Sequence, residues 1–405
     1  MEEHYQHLYQ ALSQVDGYIY PNEIDLHWGL MIVLYPYITG LVAGAFILAS
    51  LERVFNIKVL KPTYGLALLT ALSFLLVATM PLVSHLQHPF RSYEIFMTPN
   101  PTSAMAIFGF VYLWYLMVVL LLEIWFDYRR DFVIWSKTST GFKKFFYKII
   151  TLGINDSDEK SAKLDDKLGY FITVLGIPSA FILHGYVGFI FGSVKANPWW
   201  STVLMPVIFL FSAMVSGIAL VMVIYMVVSW IRKVKIDMEC LDTIAKYLFY
   251  ILIIDFTLES LDQIHRIYEA EESFDIIKVL VSGKLNITLL IMQVFLGTVI
   301  PLGVIGFFQV YKPNEKIRKI AYFFVGIIVL IGIFFMRWNV VIGGQLFSKS
   351  LSGFTSFNAV YSGLEGYGMV AVWLILPLLI LTFLLWLMPP WKKADIHKLS
   401  RPKIG

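Results

Sequence analysis

Nine apolar stretches, each long enough to cross a bilayer, occupy most of this chain and leave it few ways to fold. An apolar helix needs about 20 residues to span the hydrocarbon core. By that measure the spans fall near 28–50, 64–86, 102–126, 168–194, 202–231, 239–262, 285–309, 316–337 and 367–388. They must be helices, because unpaired backbone is too costly in lipid and no alternating barrel-strand pattern occurs. Of the 405 residues, 58% are hydrophobic and 15% charged, against about a quarter charged in a soluble domain. The expected fold is an all-α polytopic membrane protein with about nine (8–10) transmembrane helices.

Lysine and arginine set the expected orientation. With the N-terminus outside, the outer segments hold seven, among them Arg91, Arg266 and Arg337, and the inner segments hold 24 of the 32. That bias predicts an external N-terminus and a cytoplasmic C-terminus, and it accounts for the net charge of +4 without nucleic-acid binding. The expected organisation is an external segment 1–27, helices 1–3 over 28–126, a cytoplasmic connection 127–167, helices 4–9 over 168–388, and a basic cytoplasmic tail 389–405. Tyr5, Leu8, Tyr9 and Leu12 share one helical face, the pattern of a short helix lying on the outer surface. Residues 1–27 hold no lysine, arginine or apolar core of about 7–15 residues, so they do not read as a cleavable signal peptide.

Cys240 is the only cysteine, and an iron–sulfur cluster needs about four thiolates. The glycines sit singly within helices, with no phosphate loop or dinucleotide fingerprint. Chemistry must use histidine, carboxylate, tyrosine and a lipid-soluble or partner-borne cofactor, with no metal site in the chain.

Polar residues gather toward the outer side. His27 precedes Trp28 at the entry to the first span, as a functional imidazole or a wet interfacial one. His88-Pro89-Phe90-Arg91 puts an imidazole and a guanidinium at the exit of the second, where Arg91 also has headgroups within reach. His184, beside Tyr186, lies 16 residues into the fourth span, ~24 Å along a helix. An ionisable residue at that depth is a functional candidate, the alternative being a structural bond to a neighbouring helix. In the sixth span Asp255, Glu259, Asp262 and Arg266 share one face, with His265 nearby. Two carboxylates one turn apart in low dielectric resist simultaneous ionisation, which suits a proton relay. Asp262 and Arg266 alone read as an ordinary ion pair. Near the inner side, Glu123 extends a proton path or snorkels to the interface.

Longer strings then become recognisable. Leu86-Gln87-His88-Pro89-Phe90-Arg91, Pro99-Asn100-Pro101-Thr102-Ser103, Leu183-His184-Gly185-Tyr186-Val187-Gly188, Asn197-Pro198-Trp199-Trp200 and Arg337-Trp338-Asn339-Val340-Val341 resemble the NrfD/polysulfide-reductase membrane-subunit family, most closely its DsrP branch. The similarity runs from roughly residue 28 to 388. It implies a quinone-reactive subunit of an anaerobic respiratory complex, linked to sulfur respiration and sulfate reduction. Such a protein would use menaquinone and carry no haem or cluster itself. Two four-helix bundles are implied, here with one extra helix, and a quinone pocket toward the outer side. An exported iron–sulfur subunit docks there. The implied company also includes a multihaem cytochrome c, a haem-b membrane subunit and a cytoplasmic iron–sulfur subunit. The resemblance carries quinone binding onto His27, His184 and Tyr186, with His88 and Arg91 beside them. In the resulting hypothesis His184 and Tyr186 meet one carbonyl and His27 or His88 the other, while Asp255 and Glu259, with Asp262 and His265, pass protons.

Two rivals stand beside this reading. A secondary transporter would use His184, Asp255 and Glu259 with helices broken at Gly176-Ile177-Pro178 and Pro301-Leu302-Gly303. A haem-b cytochrome would need two facing histidines at one depth, and only His184 lies well inside a span.

Overall fold

The computed structural model describes residue 13 and residues 15–86, 88–154, 158–269, 273–358 and 360–392. The surface helix expected from Tyr5, Leu8, Tyr9 and Leu12, together with Gln87 and the tail after residue 392, lies outside them. The described residues contain nine long helices: α1 Leu30–Arg53, α2 Lys58–His85, α3 Ala104–Thr138, α4 Glu159–Gly192, α5 Met205–Ile231, α6 Met238–Glu269, α7 Asn286–Val310, α8 Glu315–Gln345 and α9 Tyr367–Leu387. Eight are long and apolar enough to cross a membrane, all but α6.

The carboxylates of α6 lower its apolarity, but its packing makes it a ninth span. Only residues 232–237 separate it from α5. At one end the Asp237 amide donates to the Tyr225 hydroxyl at 3.1 Å. At the other, the Thr202 hydroxyl donates to Asp262 at 2.7 Å, and Arg266 donates to the Pro198 carbonyl. α6 therefore runs antiparallel to α5 over the full length of a spanning helix.

Helices α1–α4 form one bundle and α5–α8 a second, with α1 and α4 against α5 and α1 against α8 across the seam; α9 packs outside the first bundle, on α2. This is the arrangement expected from sequence. α1 is buried along its whole apolar stretch, so it reads as hydrophobic on every side. Bare backbone sets the closest crossings. A methyl on Gly44 (α1) would lie 2.2 Å from the Ala213 carbonyl of α5, and one on Gly297 (α7) 2.5 Å from the Gly332 Cα of α8. Small residues let helices approach where lipid offers no hydrophobic drive for association. α4 runs unbroken through Gly176-Ile177-Pro178, and a side chain at Gly176 would strike Phe46. α7 departs from α-geometry instead: Asn286–Val299 is π-helical.

At the end where α1 begins, an irregular cap closes the bundle. Asp16–Gly17 pairs antiparallel with Gly353–Phe354. The Gln345 side chain accepts from the Trp28 amide at 3.0 Å and donates to its carbonyl at 2.9 Å. Trp28 stacks on Trp200, with ring centroids 5.2 Å apart. Asp262 and Arg266, both buried, clasp the 198–202 turn from α6.

Two stability outcomes follow. Gly217→Val, whose side chain would strike Gly44, is expected to lower stability by about 1–3 kcal/mol or more, whereas Gly303→Ala, with open space around it, leaves the unfolding midpoint in detergent unchanged. Asp262→Asn strands a buried guanidinium and should cost about 3–5 kcal/mol, much of it recovered in Asp262→Leu/Arg266→Met; thermal unfolding of the three variants checks both halves.

Candidate functional site

Arg337, near the end of α8, is fully buried where the two bundles meet. From sequence it counts among the outer-segment charges, because the apolar run reads as ending at 337. The helix continues regularly to Val341 and a further turn follows at Gly343–Gln345, so Arg337 belongs to the core. A buried guanidinium needs partners on every side. Its Nη2 donates to the Ser212 hydroxyl at 2.7 Å, to the Phe209 carbonyl at 3.3 Å and to His184 Nε2 at 3.0 Å. The group also lies 4.0 Å from the centre of the Phe209 ring, a cation–π contact. Its Nε is without a partner.

The contact with His184 decides a tautomer. Arginine only donates, so Nε2 accepts, the imidazole is neutral, and the ring proton sits on Nδ1. That Nδ1 is buried with no hydrogen-bond partner. Gly40 of α1 makes the room, since a methyl there would stand 3.2 Å from the imidazole Cε1.

Asp255 and Glu259 of α6 and Tyr35 of α1 lie within electrostatic reach of Arg337. Asp255 is buried with Oδ1 unpartnered. Glu259 accepts from the Gln293 amide at 3.1 Å, and Gln293 accepts from the Asn339 amide at 2.8 Å. Gln293 enters this chain from the π-helical stretch of α7, and its carbonyl accepts from the Thr298 side-chain hydroxyl at 3.2 Å. Six helices thus contribute to one polar cluster inside an apolar bundle.

A cavity of about 300 Å³ adjoins it. Trp199, Phe256, Leu289, Met336 and Val340 give apolar walls, and Glu259, Gln293 and Asn339 supply polar groups. The cavity lies toward the end of the bundle where α1 begins, since its walls come from the first turns of α5 and the later turns of α6 and α8. Leu290 and Gln263 on its lining are exposed, so it opens to the flank of the bundle.

The other residues singled out from sequence are scattered around this centre. His27, His88, Arg91 and His265 are exposed. Arg91 makes a two-pronged pair with Glu94, at 2.8 and 2.9 Å, and this hydrogen bonding holds the Glu94 carboxyl below its ordinary range. Tyr186 is half-buried, its ring tilted against Phe189. Asp262 is committed to the clasp on Arg266. Glu123 is fully buried toward the opposite end, accepting from Thr173 at 2.8 Å and Tyr64 at 3.3 Å. Arg337, Gln293, Asn339, Ser212 and Tyr35 are members of the site that sequence reasoning misses. Gln293 and Asn339 carry a readable signal, as lone amides in apolar runs.

Comparison with known proteins gives the chain a family. The profile of the family described as "Polysulphide reductase, NrfD" matches residues 21–349. The C subunit of selenate reductase from Mesobacillus selenatarsenatis is 36% identical over 203 residues, 49% of this chain and 47% of that protein. A putative dimethyl sulfoxide reductase membrane subunit of Halobacterium salinarum is 27% identical over 229 residues, 55% of this chain and 48% of that protein. The chain spans about half the length of the curated relatives it matches. With the matched profile covering most of its length, the chain belongs to the NrfD, or polysulphide reductase, family.

Proposed function

We propose that this chain is the quinone-reactive membrane subunit of an anaerobic respiratory reductase complex. It exchanges electrons between menaquinone, held toward the outer face, and a docked iron–sulfur subunit. The observation that carries this reading is the flank-opening cavity with Glu259, Gln293 and Asn339 on its wall. A quinone headgroup is a flat apolar ring with a carbonyl at each end, and it arrives sideways from lipid. Apolar walls with a few fixed polar groups match that chemistry. The relatives, a selenate reductase subunit and a putative dimethyl sulfoxide reductase membrane subunit, support membership of such a complex. On the family resemblance the further partners are a multihaem cytochrome c, a haem-b membrane subunit and a cytoplasmic iron–sulfur subunit. The DsrP-like assignment to sulfur respiration, with the N-terminus outside and the C-terminus in the cytoplasm, is part of the same proposal.

When bound, the quinone supplies two-electron chemistry coupled to two protons. The chain's own residues manage position and protons. The Gln293 and Asn339 amides orient a carbonyl or hydroxyl, and the Glu259 carboxylate accepts a proton at the oxygen that now receives the Gln293 amide. Asp255, one turn away and within the field of Arg337, takes the proton onward. Arg337 offsets negative charge so that the two carboxylates are tolerated together. Glu123, at the far end, belongs to any inward branch of that path.

A specific observation favours a second location, on the set implied by the resemblance. The unpartnered His184 Nδ1–H is a buried donor able to meet a carbonyl; Tyr186, two residues on, packs on Phe189, and His27, His88 and Arg91 are exposed. It is less suited to binding haem, because its Nε2 is held by Arg337.

Binding of a fluorescent quinol analogue to the full chain in detergent separates the two. Gln293→Leu is expected to weaken binding roughly tenfold, the worth of one or two hydrogen bonds, with His184→Phe nearly unchanged. The reverse pattern would move the headgroup to His184, and no saturable binding by the folded chain would end the quinone reading. In the assembled complex, Glu259→Gln should slow quinol-linked electron transfer by about 10²-fold with KM little altered; an unchanged rate would remove Glu259 from proton transfer.

A further inference from the structure

The helix Gly141–Ile150, between α3 and α4, lies outside the bundle and divides its surface into three sectors. Tyr147 is buried, and its hydroxyl donates to the Leu387 carbonyl at 2.7 Å. Lys143 donates to the Trp386 carbonyl at 2.8 Å and sits 4.0 Å from the centre of the Trp386 ring. The Ile150 carbonyl accepts from the Trp125 indole at 2.8 Å. The contacts of Tyr147 and Lys143 pin the helix beside the last turn of α9, at the level where that spanning helix ends, and that of Ile150 ties it to α3.

Phe142, Phe145 and Ile149, at spacings of three and four, form a second sector and are 57%, 64% and 54% exposed. This apolar arc continues past the helix end through Leu152, which is 73% exposed. Beside it lies the third sector, with exposed Lys144 and Lys148. The apolar sector is continuous in chemistry with the exposed flank of α9, where Phe383 and Trp386 also face outward. A half-exposed indole at this level matches the aromatic belt of a membrane boundary.

A helix with one face on protein, one apolar face bare and lysines along the margin has the build of an interfacial helix. We infer that Gly141–Ile150 is a binding site for anionic lipid headgroups: Phe142, Phe145 and Ile149 enter the boundary between headgroups and acyl chains, and Lys144 and Lys148 meet the lipid phosphates. Lysines near an anionic surface contribute roughly a fivefold preference each. The pinning contacts to α9 and α3 fix the helix in place, so the lipid binds to a formed site. This inference is independent of the quinone reading.

The test uses the full chain in nanodiscs of phosphatidylcholine with phosphatidylglycerol. Cys240 is buried, so an environment-sensitive fluorophore on Ile149→Cys reports this face alone. The label is expected to emit from an apolar environment, to resist aqueous iodide, and to be quenched more strongly by brominated phosphatidylglycerol than by brominated phosphatidylcholine. Lys144→Glu/Lys148→Glu, two exposed substitutions, should erase that preference while leaving the unfolding midpoint unchanged. Equal quenching by the two lipids in the unsubstituted background would overturn the inference. Ready quenching by iodide would also overturn it, and would leave the face free for a protein partner.

Discussion

One buried guanidinium holds the two bundles in register. Arg337 comes from the second bundle, yet it donates to His184 of the first and to Ser212 and Phe209 of α5. Leaving an arginine uncompensated at this depth costs several kcal/mol, so every helix around it must present a suitable group at one height. Ser212 and the Phe209 carbonyl receive the donors, the Phe209 ring takes a face, and Asp255 and Glu259 answer the charge from α6. The glycine crossing of α1 on α5 makes this convergence feasible, because it brings the two central helices to backbone contact. Packing and electrostatics are therefore a single constraint at the seam.

The same centre separates two kinds of polar residue. Asp262 and Arg266 satisfy one another and fasten the turn before α5, a structural duty completed by Thr202 and the Pro198 carbonyl. Asp255, His184 and Asn339 each retain a buried atom without a partner. Unmet hydrogen-bonding capacity is costly to a fold and useful to a binding site, and of these three residues Asn339 stands on the cavity wall.

The helices are legible in the sequence because lipid imposes a length and an apolar composition on each of them. α6 is legible too, although its carboxylates weaken the signal, since Asp255, Glu259, Asp262 and Arg266 repeat at helical spacing. The depth of His184 marks it as a candidate for function or for a bond to a neighbouring helix, and the structure buries it. What sequence cannot give is the partner of that histidine. Arg337 stands 153 positions away, and an arginine at the end of an apolar run reads as an interfacial charge until the helix is seen to continue. The cavity is illegible for a related reason: Gln293, which donates to Glu259, stands on a π-helical stretch whose turn is wider than the 3.6-residue pattern assumes.

The composition of α6 has a consequence for how the chain is made. A carboxylate at the centre of a bilayer helix costs about 2.5–3.5 kcal/mol on insertion scales, and α6 carries Asp255 and Glu259 within one turn. Such a helix does not partition into lipid on its own merits. It must enter as a hairpin with strongly apolar α5, or wait beside the translocation channel until α8 delivers Arg337. Because α6 reverses the direction of the chain, its insertion also decides on which side of the membrane every later loop emerges. The pair of acids thus ties insertion of α6 to the helices that pack around it.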